Sequence, residues 1–169
     1  MQPKLIMING PLGSGKSNLA RYYAGNHPLT LFLDIDDIWA MFSHGREQKE
    51  ITLPLSKEMA FKMANVNLSA GYDVVIPQII QTHELRDRLQ ELAFGCNAQF
   101  HEILLSIDKD EAIRRFIIWG KANSNESGFR KGGLIDTGGR DKMLSEMYDD
   151  MLEAADNQSD IIMIKPETH

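Results

Sequence analysis

Eight consecutive residues near the start of the chain have the types and spacing to hold a polyphosphate. Gly10, Pro11, Leu12, Gly13, Ser14, Gly15, Lys16 and Ser17 fit the pattern G-x-x-x-x-G-K-[ST] without a mismatch. The apolar run Leu5, Ile6, Met7, Ile8 ends just before them, and a helical pattern begins at Asn18. That strand–loop–helix setting is the context the motif requires. Gly10, Gly13 and Gly15 allow the tight backbone that brings the loop's N–H groups against phosphate oxygens. The helix behind the loop points its positive end at the same place. Lys16 is expected to reach the β- and γ-phosphates, and the Ser17 hydroxyl to ligate Mg²⁺. The dinucleotide pattern G-x-G-x-x-G is absent, because these glycines run G-x-x-G-x-G. The stretch therefore predicts a nucleoside triphosphate site.

Carboxylates follow the second apolar run. Leu31, Phe32 and Leu33 lead into Asp34, Asp36 and Asp37. In an open parallel sheet, ligands bind beyond the carboxyl ends of the strands. If the strand continues, Asp34 and Asp36 point the same way while Ile35 packs. Two carboxylates facing a triphosphate have two uses. One holds Mg²⁺, directly or through water; the other orients an attacking hydroxyl or accepts its proton. The competing use is structural, with Asp36 or Asp37 capping a helix that starts near Ile38. The third run, Val74, Val75, Ile76, is followed by Pro77 and Gln78 rather than a carboxylate, which counts against a hydrolysing ATPase of the Asp-Glu kind. Asp108 ends another apolar run, and its simpler use is as a helix cap.

Phosphoryl transfer also needs water excluded and the charge on the moving group offset. Residues 121–139 are polar and rich in glycine, and they carry Arg130 and Lys131, so this segment is the candidate lid. Arg130, Lys131 and Arg140 are candidates to supply the positive charge, as are Arg114 and Arg115 on the preceding helix. The histidines lack metal-ligand spacing.

These groups need a scaffold. At 169 residues the chain is long enough for one substantial core, and it is expected to form a single domain over 1–169. Five apolar runs alternate with helical patterns: strands at 5–8, 31–33, 74–76, 100–107 and 161–164. Such continuous runs predict a parallel sheet covered on both faces. Pro54 is expected to break any helix near it. From Ser56 a helix is predicted with Met59, Met63, Val66 and Ala70 on one face. Thr82 and the Asp108/Glu111 pair are predicted helix caps, the latter as a capping box. A last helix carries Met143, Met147, Met151 and Ala154 on one side.

Composition sets outer bounds. The net charge of −6 argues against a general nucleic-acid binder. The single Cys96 rules out an intrachain disulfide framework, fits a reducing compartment and is expected to be inert. No apolar run reaches the roughly 18 residues that span a bilayer, and the start of the chain does not read as a signal peptide. The expected location is cytoplasmic.

With the loop, the Asp34-x-Asp36 pair, the arginine-bearing helix at 114–115 and the polar insert all in place, the chain resembles the small kinases of the adenylate-kinase-like P-loop group over essentially its whole length. Within that group it is similar to shikimate kinase, gluconate kinase, chloramphenicol phosphotransferase and the zeta-toxin kinases. Residues 73–78 also resemble the tunicamycin-resistance ATP-binding proteins, which carry proline at the same place. The resemblance implies a three-layer P-loop fold with a five-stranded parallel sheet of order 2-3-1-4-5, helices on both faces and a short lid. It implies ATP as donor, Mg²⁺ as cofactor and a small hydroxyl-bearing acceptor. Asp34 matches the position that serves Mg²⁺, Asp36 the one that meets the acceptor, and Arg115 falls near a position where the group has an arginine beside the adenine or phosphates. The group's second arginine, a turn later, is replaced here by Ile118 or Trp119. Lys121, Arg130 or Arg140 must then supply the lid's chemistry, with Arg130 the leading candidate. The alternatives left open are a nucleotide-hydrolysing or regulatory ATP-binding protein and a nucleotide or polynucleotide-end kinase. A GTPase is disfavoured by the lack of an N-K-x-D signature.

Overall fold

The computed structural model describes residues 2–80, 82–122, 140–156 and 160–166. Its strands are β1 (Lys4–Asn9), β2 (Leu31–Phe32), β3 (Val74–Pro77), β4 (Gln99–Leu105) and β5 (Ile161–Ile164). They form one all-parallel sheet in the order β2-β3-β1-β4-β5, as expected. The helices are α1 (Lys16–Asn26), α2 (Ile35–Trp39), α3 (Lys49–Ser69), α4 (His83–Gly95), α5 (Lys109–Ala122) and α6 (Arg140–Asp156).

Alternation along β1 builds the two cores. Leu5 and Met7 face one side, where α2, α3 and α4 bring Ile35, Ile38, Ala60, Ala64, Leu68, Leu89 and Ala93. Ile6 and Ile8 face the other, where Ala20 of α1 packs with Val75 and Leu105. The central strands are covered on both faces, but the edge strand β5 departs from that expectation, with Ile162, Met163 and Ile164 exposed. Among the described residues no helix is long and apolar enough to cross a membrane.

Helix α3 corrects two expectations. It begins before Pro54 and runs through it. Side chains support the turn that proline weakens: Ser56 Oγ donates to the Thr52 carbonyl at 2.7 Å, Thr52 Oγ1 donates to the Gly45 carbonyl at 2.7 Å, and Trp39 Nε1 donates to Thr52 Oγ1 at 2.9 Å. The buried face is Thr52, Ser56, Ala60, Ala64 and Leu68, while Met59, Met63 and Val66 are 44%, 40% and 70% exposed. A row of small residues lets α3 lie close against the sheet, and the larger apolar side chains at neighbouring positions are turned outward. Thr82 holds the N-cap position of α4, but its side chain makes no capping bond. Asp108 does cap α5, accepting from the N–H groups of Asp110 and Glu111 at 3.0 and 3.2 Å. Glu111 does not complete the box by reaching back, because Arg114 and Arg115 hold its carboxylate.

One charged pair lies inside the α4 side of the sheet. Arg86 Nε donates to Glu102 Oε2 at 2.7 Å, with side chains only 10% and 3% exposed. Breaking such a pair strands a buried charge, so Arg86→Leu should cost about 3–5 kcal/mol in urea unfolding. Adding Glu102→Leu should recover most of that loss. A double variant no more stable than the single one would mean that the two do not act as a pair.

Candidate functional site

The residues of the loop sit where the motif needs them, between β1 and α1. Gly15 is the N-cap of α1 with φ 91°, a left-handed conformation that favours glycine. Lys16 and Ser17 are the first two helical residues. The Lys16 ammonium is buried and donates to the carbonyls of Gly10 at 2.8 Å and Pro11 at 2.9 Å. The side chain thus folds back along its own loop and holds the loop's first turn. Ser17 is half-buried at the first turn of α1.

Gly13 is fixed by a different constraint. With φ 84°, a Cβ placed on it would lie 2.5 Å from the Ala112 carbonyl oxygen and 2.9 Å from the Phe116 amide nitrogen. Both belong to the backbone of α5, which therefore packs directly against the apex of the loop. Gly13→Ala should destabilise by about 2–4 kcal/mol, adding left-handed strain to overpacking against backbone that cannot yield. Gly15 has open space around its Cβ position, so Gly15→Ala should cost only the backbone term, about 1–2 kcal/mol. Thermal unfolding of the two variants checks this order; equal losses would mean that α5 does not set the loop's path.

Arg115 stands on α5 beside this contact, its Cβ 3.3 Å from the Gly13 Cβ position. Its Nε donates to Glu111 Oε1 at 2.7 Å, and Arg114 donates to both oxygens of the same carboxylate. Hydrogen bonds from Arg114 and then Arg115 hold the Glu111 carboxyl down at about 2. The Glu111 carboxylate therefore stays ionised at any ordinary working pH.

The aspartates arrive by another route than strand alternation. β2 ends at Phe32, and Asp34 is the N-cap of the short helix α2. Its Oδ1 accepts from the Asp36 N–H at 3.0 Å, so Asp34 supplies the cap that the sequence offered to Asp36 or Asp37. Asp34 is buried, while Asp36 and Asp37 are half-buried in the first turn. Helical geometry, not a shared strand face, sets Asp34 and Asp36 relative to each other. Because β3 lies between β2 and β1, the two strand ends are separated by about 10 Å, two strand spacings.

Mg²⁺ and ATP can be set against this donor set. Among the described residues no group of three or more His, Cys, Asp or Glu side chains forms a metal cage. Mg²⁺ needs no such cage where one or two protein oxygens and substrate phosphates complete its shell. The Ser17 hydroxyl and the Asp34 carboxylate are oxygen donors of the kind such a shell uses. Of the remaining candidates, Arg130, Lys131 and the rest of 123–139 lie outside the described residues, while Lys121 and Arg140 belong to α5 and α6.

One residue of the site is absent from the sequence-based expectations. Asn9, the last residue of β1, is 1% exposed. Its Oδ1 accepts from the Gly10 N–H at 2.8 Å and from the Ile80 N–H at 3.0 Å. The only sequence signal is a polar residue closing an apolar strand immediately before the loop's first glycine.

Comparisons with known proteins agree with this fold. The model of the AAA domain family matches residues 5–127. No curated protein matches the chain. Among solved structures, the chain is similar to a gluconokinase from Sinorhizobium meliloti 1021, with TM-score 0.59, 16% identity and coverage of 99% of this chain and 85% of that one. It is also similar to the tunicamycin resistance protein of Deinococcus radiodurans, with TM-score 0.58, 14% identity and coverage of 96% and 86%. A chain of the Pnkp1/Rnl/Hen1 RNA repair complex matches at TM-score 0.66 and 17% identity over 98% of this chain and 50% of that one. At these identities the likeness is one of fold.

Proposed function

Because the chain belongs to this AAA domain family of P-loop kinases, we propose that it is an ATP- and Mg²⁺-dependent phosphotransferase that moves the γ-phosphoryl group to a hydroxyl of a small-molecule acceptor. The observation that carries the reading is the pairing of a complete phosphate loop with the carboxylates Asp34 and Asp36, two strand positions away. A triphosphate held on the backbone of residues 10–17, with Lys16 on its β- and γ-phosphates, extends toward that gap. In this reading Ser17 and Asp34 serve Mg²⁺, Asp36 meets the acceptor hydroxyl, and Arg115 lies beside the bound nucleotide. Arg130 is proposed to offset charge on the moving group.

Binding without turnover would require only the loop. Asp36 is half-buried in the first turn of α2, whose cap Asp34 supplies, and in this reading its carboxylate orients the acceptor hydroxyl. The net charge of −6 supports a small acceptor over a polynucleotide end. We place the protein in the cytoplasm, a reducing compartment that its single Cys96 fits. A phosphotransfer screen with labelled ATP across sugars, nucleosides, hydroxylated antibiotics and 5′-hydroxyl oligonucleotides tests the reading. Label transfer to a small hydroxyl compound supports it; release of inorganic phosphate alone, or transfer only to an oligonucleotide end, overturns it.

A further inference from the structure

We propose that Asn9 is a positioning residue that couples nucleotide binding on the phosphate loop to the chain segment following β3, where the acceptor must approach. The inference rests on the ATP-binding reading above and adds to it a mechanical link between the two halves of the site.

The link is one oxygen atom. Asn9 Oδ1 accepts both the first N–H of the phosphate loop, from Gly10, and the N–H of Ile80. A second tie runs alongside, with the Gln78 N–H donating to the Ile8 carbonyl at 3.0 Å. Asn9 continues the face of β1 that carries Leu5 and Met7, the side on which α2, α3 and α4 pack. β3 lies between β2 and β1, so the segment leaving β3 occupies the ground between the phosphate loop and Asp34–Asp36. An acceptor lying between Asp36 and a γ-phosphate must pass over it. Ile80 is itself buried in the same core cluster as Ile35 and Ile38 of α2.

The chemistry of the side chain also points to the ligand. Asn9 Nδ2 is buried with no hydrogen-bond partner among the described residues, as is Ser14 Oγ in the same loop. A buried orphan donor is costly. An aspartate would accept the same two N–H groups and leave no orphan. It would also set a negative charge at the base of a loop whose ligand is a polyanion. A neutral acceptor suits a residue that must clamp the loop without repelling triphosphate.

Amide hydrogen exchange by NMR tests the coupling. In the wild-type protein, MgATP should slow exchange at Gly10 and residues 12–17 and, through the shared oxygen, slow Ile80 by about tenfold. Asn9→Ala should leave the slowing at residues 12–17 while Ile80 no longer responds. In the nucleotide-free protein, Asn9→Ala should speed Gly10 and Ile80 together by about tenfold, the loss of one hydrogen bond each. Asn9→Asp, measured without nucleotide because its charge opposes phosphate, should restore both. Wild-type protein in which MgATP protects the loop but leaves Ile80 unchanged overturns the coupling, whether or not the variants fold. An Asn9→Ala protein whose Ile80 still responds overturns it as well. Absence of any MgATP effect on the wild-type loop counts against the ATP reading instead, and the nucleotide-free comparison of Asn9→Ala with Asn9→Asp still decides whether the clamp exists.

Discussion

Lys16→Ala should remove nearly all of the thermal stabilisation that MgATP gives the wild-type protein. A ligand at about 100 times its Kd stabilises by roughly 2.7 kcal/mol, which for a chain of this size raises Tm by about 5–10 °C. Lys16 is the side chain expected to reach the β- and γ-phosphates, and in the structure its ammonium already lies against the loop carbonyls of Gly10 and Pro11. Its loss therefore acts twice: it removes the cation that meets the phosphates and frees the carbonyls that shape the loop. The second effect alone would lower the Tm of the empty protein without touching the MgATP increment. Measuring Tm with and without MgATP separates the two, with circular dichroism to show that the fold persists. An increment in the variant equal to that of wild type would sink the role assigned to Lys16.

The loop was legible because its function is written in local backbone chemistry. A strand, three glycines, a Lys-Ser pair and a helix form one contiguous stretch, and the structure reproduces that order from Lys4–Asn9 to Lys16–Asn26. The order of the sheet followed from the resemblance, and the alternation of apolar runs with helices supplied the parallel class. What escaped was set by packing between distant segments. The inward face of α3 is chosen by how closely Ala60 and Ala64 allow it to approach the sheet, a property of size that an apolar period does not reveal. Arg86 and Glu102 look like ordinary surface charges until the fold brings a helix over a central strand and pairs them. Asn9 reveals its use only when Ile80, 71 residues away, returns to share its oxygen. Asp34 is an intermediate case, since its position was legible but its service as the N-cap of α2 depends on β2 ending at Phe32, before alternation could extend to it.

Asp36→Asn should bind MgATP about as tightly as wild type yet transfer phosphate at least about 10² times more slowly to the acceptor found by the screen. In a loose transition state the attacking hydroxyl must be positioned, and a carboxylate both orients it and takes its proton. The amide keeps the size and much of the hydrogen-bonding shape but loses the charge and the basicity. Loss of the first-turn charge is too small an effect to imitate this result. The Asp36 backbone N–H that Asp34 caps is unchanged by the substitution, and losing a negative charge in the first turn of a helix costs at most about 1 kcal/mol of stability. A 10²-fold loss of rate corresponds to about 2.7 kcal/mol in the barrier, and it appears in kcat rather than in Tm. Asp37→Asn supplies the control from the same turn of α2 and should leave turnover within about twofold. Asp34→Asn should differ from both: asparagine caps a helix about as well as aspartate, so α2 survives, while the Mg²⁺ concentration needed for half-maximal rate rises. Normal turnover by Asp36→Asn on the true acceptor would leave that carboxylate only a structural place in α2. It would also move the search for the group that meets the hydroxyl to the other residues bordering the gap between β2 and the phosphate loop.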